Sequence, residues 1–200
     1  MNRDFWDERY GDRFASYGTE PNDFVREVAE RLPEGPVLCL AEGEGRNAVF
    51  LAERGHPVTA VDLSPVGLAN AEALAKERGV ALETVQADLT DYDPGEARWA
   101  AIVSIWAHVP PEVRVPLHGR CVEALRPGGA FVLEAYSPAH LKKPGVGGPP
   151  IPELLMTPAG LRSELEGLRV ERCEEVDRDV AEGRYHGGPS TTVQVLAFKP

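Results

Sequence analysis

The residues best suited to chemistry lie where a short apolar segment, residues 36–41, gives way to a helix. The turn between them contains Gly43 and Gly45. Glycines at such a turn let the backbone approach a ligand, and the helix that follows directs unpaired N–H groups towards it. Asp62 ends the next apolar segment, at a separation that suits an acidic partner for ribose hydroxyls, although it could also cap the strand end. This pattern indicates a site for a nucleotide-like ligand without naming the ligand.

Strand and helix patterns alternate around this turn. Short continuous apolar runs are typical of strands buried on both faces, and the alternation predicts a parallel sheet covered by helices. Near the C-terminus, two strand patterns joined by a glycine-rich connection, residues 183–189, predict an antiparallel hairpin, while the proline-rich residues 137–152 predict a loop without regular structure. The predicted strands are 36–41, 57–62, 82–87, 99–105, 130–136, 170–180 and 191–198, with helices at 47–54, 65–78, 112–125 and after Thr157.

Composition narrows the class of protein. The 200 residues, with 42% hydrophobic residues, suit one ordered domain. The net charge is −11, and no basic cluster exceeds Lys142-Lys143, so neither nucleic acid nor a membrane is expected as a partner. The three cysteines lie far apart without a CxxC pair, which predicts no disulfide framework, no metal site and a cytoplasmic location. No signal peptide or membrane span is predicted, and the oligomeric state stays open.

Three later features extend the pattern: Asp88 follows the third strand, Leu-Arg-Pro-Gly-Gly (125–129) precedes the fifth, and the hairpin follows. With them the sequence resembles the class I S-adenosylmethionine-dependent methyltransferases from about residue 20 onwards. Gly45-Arg46-Asn47 followed by Phe-Leu-Ala is most similar to the tellurite-resistance and thiopurine-type small-molecule branch. The resemblance implies an α/β, Rossmann-like three-layer sandwich with a seven-stranded, mostly parallel sheet and an antiparallel last strand. It implies a single domain, 1–200, divided into a helical cap (1–34), a cofactor-binding core (35–136) and a substrate-side region (137–200).

The resemblance also implies S-adenosylmethionine as cofactor and S-adenosylhomocysteine as product. Asp62 is then expected to bind the ribose and Asp88 the adenine amine, although Asp88 could equally serve an ordinary solvated turn. The expected cofactor-binding residues are Trp6, Tyr10, Tyr17, Ala41, Glu42, Gly43, Gly45, Asn47, Asp62, Leu63, Ala87, Asp88, Leu89, Ile105 and Trp106.

Two positions depart from the family pattern. Cys39 stands where the family has an acidic residue in the first strand, and Ala41 stands where it has its first glycine. We expect Glu42, Glu44 or the N-terminal segment to supply the missing charge. The change at Ala41 is mild if its φ is negative.

Aromatic residues mark the N-terminal segment. Trp6, Tyr10, Phe14 and Tyr17 follow one another at spacings of four, four and three, which places them on one face of a predicted helix. Such a stripe packs against a core, covers a bound cofactor and excludes water, or does both.

The predicted function is methyl transfer to a small-molecule acceptor, with a soft nucleophile such as a thiol or chalcogen compound as one class. His108, Tyr136 and His186 are the candidate catalytic residues, and His108 could act as a general base or simply begin a helix. Two alternatives stay open. The departures at Cys39 and Ala41 would suit a protein that binds S-adenosylmethionine without transfer. The pattern Gly43-x-Gly45-x-x-Ala also satisfies the fingerprint of nicotinamide-dependent oxidoreductases.

Overall fold

A computed structural model describes residues 2–11 and 16–200. Its described residues contain one seven-stranded sheet. The strands are β1 (Val37–Leu40), β2 (Val58–Asp62), β3 (Glu83–Gln86), β4 (Trp99–Ile105), β5 (Leu125–Tyr136), β6 (Arg169–Glu182) and β7 (His186–Phe198). Their order is β3-β2-β1-β4-β5-β7-β6, and β7 alone runs antiparallel to its neighbours β5 and β6. This arrangement confirms the predicted fold.

The helix predicted at 65–78 begins and ends at those residues, and the helices predicted at 47–54 and 112–125 are each shifted by one residue. The Ser64 hydroxyl accepts the Gly67 N–H at 3.0 Å, and a left-handed Gly79 ends the same helix. None of the helices in the described residues is long and apolar enough to cross a membrane. The helices are α1 (Arg3–Tyr10), α2 (Asp23–Val28), α3 (Arg46–Glu53), α4 (Pro65–Arg78), α5 (Pro111–Ala124) and α6 (Pro158–Glu164), with short 3-10 helices at Ala29–Arg31, Pro138–Lys142 and Pro152–Leu154.

The core lies on both faces of the sheet. Along β1, Leu38 and Leu40 pack into one hydrophobic cluster, while Val37 and Cys39 pack into the other. Successive side chains of a strand point to opposite faces, so a continuous apolar run is needed where both faces are covered. The rigid centre of the sheet therefore holds the carboxyl ends of β1 and β4 at fixed positions.

The C-terminal region is more regular than the sequence predicts. Strands β6 and β7 pair as far as Glu182 and His186, so the connection has only three residues, 183–185, and His186 belongs to a strand. The predicted irregular loop contains the 3-10 helix Pro138–Lys142, and Val146 pairs with Gly187 of β7. Backbone pairing with β7 thus organises residues that proline and glycine content alone assigns to a loop.

The N-terminal aromatic residues do not share one continuous helix. Helix α1 ends at Tyr10, and Tyr17 lies outside it. The rings of Tyr10 and Tyr17 nevertheless meet edge to face, with centroids 6.1 Å apart. Phe14 lies outside the described residues.

Candidate functional site

In the sheet, β1 lies between β2 and β4, and the strand order reverses at this point. The turn between β1 and α3 therefore lies at the position where open α/β sheets usually bind their ligands. Gly43 and Gly45 both have positive φ, +59° and +85°. A Cβ at Gly45 would lie 2.5 Å from the Cβ of Ala71, and one at Gly43 would lie 2.5 Å from the Tyr10 hydroxyl oxygen. Both positions therefore require glycine, for conformation and for space.

Ala41 also lies in the left-handed region, with φ +50°. The condition under which this replacement would be mild, a negative φ, is therefore not met. The backbone must turn sharply where β1 ends, and at an alanine this conformation costs about 1–2 kcal/mol. The turn is therefore held in a strained shape by contacts elsewhere in the site.

Glu42 provides those contacts. Its buried carboxylate accepts the N–H groups of Asn47 and Ala48, at 2.9 and 2.8 Å, and so caps the beginning of α3. Burial raises the pKa of Glu42 to about 7, and burial beside Glu42 also raises the pKa of the Cys39 thiol. A carboxyl group that Cys39 cannot supply is thus present three residues later, in the turn that follows β1. The Asn47 side chain in turn accepts the N–H of Asn22, which ties the turn to the N-terminal segment.

Glu42 gives the first prediction, on pH dependence. Between pH 4.5 and 7 the folded chain keeps a proton on Glu42 that the unfolded chain has lost. The free energy of unfolding should therefore fall as pH rises through this window, by about 3 kcal/mol from this group. The Glu42→Gln variant cannot titrate and should lack this fall in urea unfolding measured from pH 5 to 8. Glu34→Gln, at an exposed loop position, should keep the wild-type slope, and parallel curves for wild type and Glu42→Gln would contradict the prediction.

Asp62 lies at the carboxyl end of β2, beside the turn. Its two oxygens accept the N–H groups of Gly43 and Ser64, each at 2.8 Å. A carboxylate offers about four lone-pair positions, so two remain for hydroxyl donors. Burial raises the pKa of Asp62, and the backbone hydrogen bonds oppose that shift. The next residue, Leu63, is half-buried.

Helix α1 covers this turn. Trp6 stacks on Tyr10 with centroids 5.7 Å apart, and Asp7 accepts a hydrogen bond from the Ser64 hydroxyl at 2.5 Å. Tyr10 is buried, whereas Trp6 is half-buried. The N–H of Tyr17 donates to the Glu44 carboxylate at 3.4 Å. The structure thus places Tyr10 against Gly43, with the rings of Trp6 and Tyr17 packed against Tyr10.

The residues at the end of β3 make fewer contacts with the glycine turn than those at the end of β2. The N–H of Ala87 donates to the Asp62 carbonyl oxygen, and Leu89 is buried in the core. Asp88 is exposed, and its carboxylate accepts the N–H of Thr90 at 2.8 Å, which lowers the pKa of Asp88. In this arrangement Asp88 stabilises its own turn.

The residues after β4 lie on the other side of the crevice. Ile105 is buried, and Trp106 has φ +57° with its indole N–H donating to Glu182 at 2.7 Å. His108 contacts the carbonyl of Leu154 through Nδ1 and the N–H of Tyr136 through Nε2, at 3.1 and 3.2 Å. Because burial lowers the pKa of His108 to about 4 and both nitrogens are occupied, this geometry favours a positioning role over a general base.

A buried ionic network, which sequence reasoning missed, joins the hairpin to the crevice. Glu182 pairs with Arg46 and Arg178, at 2.5 and 2.6 Å. Burial alone would raise the pKa of Glu182, but these two arginines and Trp106 hold it at about 2. Glu134 is fully buried and also binds Arg178. No sequence motif links these four residues. The only signal in the sequence was that β6 carries charged residues, among them Arg178 and Glu182.

Aromatic and histidine rings gather beside the network at the carboxyl ends of β4 and β5. Tyr136 stacks on Trp106 with centroids 4.4 Å apart and lies 4.2 Å from the ring of His140. His186 meets Trp106 at 4.9 Å and Tyr17 at 4.8 Å, both edge to face. We call Tyr17, Trp106, Tyr136, His140 and His186 the ring cluster. The structure thus unites two catalytic candidates with His140, to which the sequence gave no role.

Comparison with known proteins yields matches in sequence and in structure. Residues 37–129 match the family described as "Methyltransferase domain". A curated relative, the 2-heptyl-1-hydroxyquinolin-4(1H)-one methyltransferase of Mycobacteroides abscessus, is 28% identical over 137 residues. That alignment covers 67% of this chain and 60% of the relative's length.

Solved structures share the fold of the whole sheet. TehB from Haemophilus influenzae has a TM-score of 0.74 at 17% identity, covering 99% of this chain and 67% of that chain. The magnesium protoporphyrin IX methyltransferase from Synechocystis PCC 6803, solved with bound S-adenosylhomocysteine, has a TM-score of 0.73 at 17% identity. That match covers 99% of this chain and 97% of the other.

Proposed function

Since the chain has the fold of the class I S-adenosylmethionine-dependent methyltransferases, we propose that it transfers a methyl group from S-adenosylmethionine to a small-molecule acceptor. The observation that carries the proposal is the glycine turn at the end of β1 beside the Asp62 carboxylate at the end of β2. The same edge of the sheet carries the ring cluster after β4 and β5. Donor and acceptor would therefore meet along one crevice.

The described residues fit such a cofactor. The backbone at Gly43 has no side chain, and the Asp62 carboxylate keeps lone pairs for the two ribose hydroxyls. The Tyr10 ring lies over Gly43, where it would face the bound nucleoside. Ile105 and Trp106 would lie on the β4 side, and Asp88 would reach the adenine amine only if its carboxylate leaves the bond to Thr90.

The cofactor supplies an activated methyl group on a sulfonium, so the chain itself has mainly to bind, align and exclude water. Glu42 holds the turn and the start of α3 in place. Helix α1 covers the turn and excludes water from it. Glu182 accepts the indole N–H of Trp106 and so fixes this side chain within the ring cluster. None of these roles needs a catalytic dyad.

The acceptor class that we propose first is a soft nucleophile such as a thiol or chalcogen compound. The occupied nitrogens of His108 support it, because a soft nucleophile needs little help from a base. The name of the Mycobacteroides abscessus relative indicates a hydroxylated ring, which supports testing hydroxyl acceptors as well. We further propose that the protein acts in the cytoplasm as a single domain of residues 1–200.

Calorimetry followed by a transfer assay tests the proposed function. S-adenosylhomocysteine should bind with measurable heat, and labelled methyl should pass from S-adenosylmethionine to at least one member of a panel of thiols, chalcogen compounds and phenols. Binding without transfer to any of them would favour a protein that only binds the nucleoside. Binding of NADH in preference to S-adenosylhomocysteine would favour an oxidoreductase and overturn the proposal.

A further inference from the structure

We propose that His140, Tyr136 and His186 form the binding site of the methyl acceptor, and that this site takes an uncharged planar ring compound bearing an O–H or S–H group. This inference rests on the proposed function and deepens it, because it assigns residues and a chemical class to the acceptor. His140 has no role in the proposed cofactor site. The sequence indicated Tyr136 and His186 separately, as candidate catalytic residues, and did not relate them to each other or to His140.

The first observation is a group of unsatisfied polar atoms. Tyr136 Oη, His140 Nδ1 and His186 Nδ1 are buried and have no hydrogen-bond partner among the described residues. The three residues are 0%, 5% and 7% exposed. Leaving a buried polar atom unpaired costs about 1–3 kcal/mol, so three in one cluster are unfavourable without a ligand to pair with them. The Ser190 hydroxyl lies near Tyr136 and donates to the Gly188 carbonyl at 3.0 Å, outside hydrogen-bond geometry with Tyr136 Oη.

The second observation fixes which kind of partner His140 needs. Its Nε2 lies 3.1 Å from the carbonyl oxygen of Gly147, so Nε2 carries the proton and donates. Burial lowers the pKa of His140, which keeps the ring neutral. Nδ1 is then a bare lone pair that can only accept, and a ligand must bring a donor such as O–H or S–H to satisfy it.

The other two groups agree with an uncharged ligand. Burial raises the pKa of Tyr136, with a further contribution from Glu182, so its hydroxyl stays protonated and can donate to a ring heteroatom. Burial and the nearby Arg46 lower the pKa of His186 to about 3, so this ring carries no charge. Of the nearby cations, Arg46 and Arg178 are already paired with buried carboxylates, and Lys143, beside His140, pairs with Asp177. Arg9 donates to the Tyr17 hydroxyl at 3.2 Å. These described cations are thus already engaged, which disfavours a carboxylate or phosphate ligand.

The third observation concerns shape. The side chains of the ring cluster are flat rings that already stack on one another, and such rings favour a planar ligand. Besides the neighbouring rings, backbone packs against Tyr136: a Cβ at Gly147 would overlap its hydroxyl, and one at Gly148 would lie 2.7 Å from its ring. The bridge between Val146 and Gly187 and the hydrogen bond from the Gly145 N–H to the Pro189 carbonyl connect this covering backbone to β7. An acceptor would reach the Tyr136 ring by displacing residue 148, so that the Gly147 carbonyl keeps its contact with His140 Nε2.

Titration calorimetry in saturating S-adenosylhomocysteine tests the site with three probes that share one ring system. These probes are 2-naphthol, its methyl ether 2-methoxynaphthalene, and 2-naphthoate. The wild-type protein should bind 2-naphthol about tenfold more tightly than the ether, as expected for one buried hydrogen bond, and more tightly than the anion. The His140→Ala variant should bind naphthol and ether equally, whereas His140→Asn, with an acceptor oxygen near the Nδ1 position, should regain part of the preference.

Two controls separate this inference from the proposed function. His56→Ala, in a loop where His56 contacts Gly35, should keep the wild-type preference. Each variant should bind S-adenosylhomocysteine like the wild type, which reports an intact fold. Equal binding of naphthol and ether by the wild type, tighter binding of naphthoate, no binding of any probe, or a preference that survives His140→Ala would each overturn this acceptor site. A failure of S-adenosylhomocysteine itself to bind would instead overturn the proposed function.

Discussion

Replacing Arg178 by methionine should lower the free energy of unfolding by about 3–5 kcal/mol. The guanidinium binds both oxygens of Glu134, at 2.9 and 3.0 Å, and Glu182 at 2.6 Å. The side chains of these two glutamates are 0% and 4% exposed. Methionine fills a similar volume but leaves the two carboxylates buried with fewer partners, and Asp23 loses its ion pair as well. Urea unfolding followed by circular dichroism measures the loss.

The loss of unfolding free energy in Arg178→Met should be large because the ion pairs of Arg178 are buried, and two further variants test this reason. Arg26→Met removes a surface pair with Glu20 between half-exposed side chains, and it should cost less than about 1 kcal/mol. Combining Arg178→Met with Glu134→Gln should recover part of the loss, because a neutral amide no longer needs the cation. If Arg178→Met costs no more than Arg26→Met, the network does not hold the hairpin to the crevice.

Replacing Asp62 by alanine should weaken S-adenosylhomocysteine binding by about 10- to 100-fold. A hydrogen bond to a charged group contributes about 1.5–3 kcal/mol, and the proposed ribose contacts use the free lone pairs of this carboxylate. The substitution also removes the acceptor for the Gly43 N–H, so the glycine turn loses a contact that fixes its shape. Calorimetric dissociation constants provide the measurement.

The choice of control matters because the chain is acidic throughout. Asp91→Ala changes the charge by the same amount at an exposed position near the end of β3, and it should leave the affinity within about threefold of wild type. Asp62→Asn, which keeps one acceptor oxygen, should fall between wild type and Asp62→Ala. Equal affinities for Asp62→Ala and wild type would show that the nucleoside does not bind at the end of β2.

Much of the candidate site could be predicted from the sequence because its determinants are local. Gly43 and Gly45 follow an apolar strand directly, and Asp62 ends the next one. The carboxyl ends of parallel neighbouring strands meet at one edge of a sheet, so these residues had to lie close together. Glu42 could also be named as a replacement for the missing acid, since it lies in the same turn.

The conformation of Ala41 and the role of Asp88 could not be predicted in this way. The sign of φ at Ala41 depends on how the turn closes under Glu42, and an aspartate after a strand can bind a ligand or its own backbone. At each position the two alternative conformations differ in free energy by only a few kcal/mol, and the residue type alone does not decide between them.

The sequence by itself determined the order of strands and helices, the glycine turn and the acidic residue beside it, because each follows from periodicity and turn chemistry within a few residues. Only the tertiary structure decided which charges and rings meet. Glu134, Arg178 and Glu182 come together through the register of β5, β6 and β7, and a shift of one residue would turn each side chain to the opposite face. His140 reaches Tyr136 for the same reason, because pairing with β7 folds residues 138–148 back over the sheet.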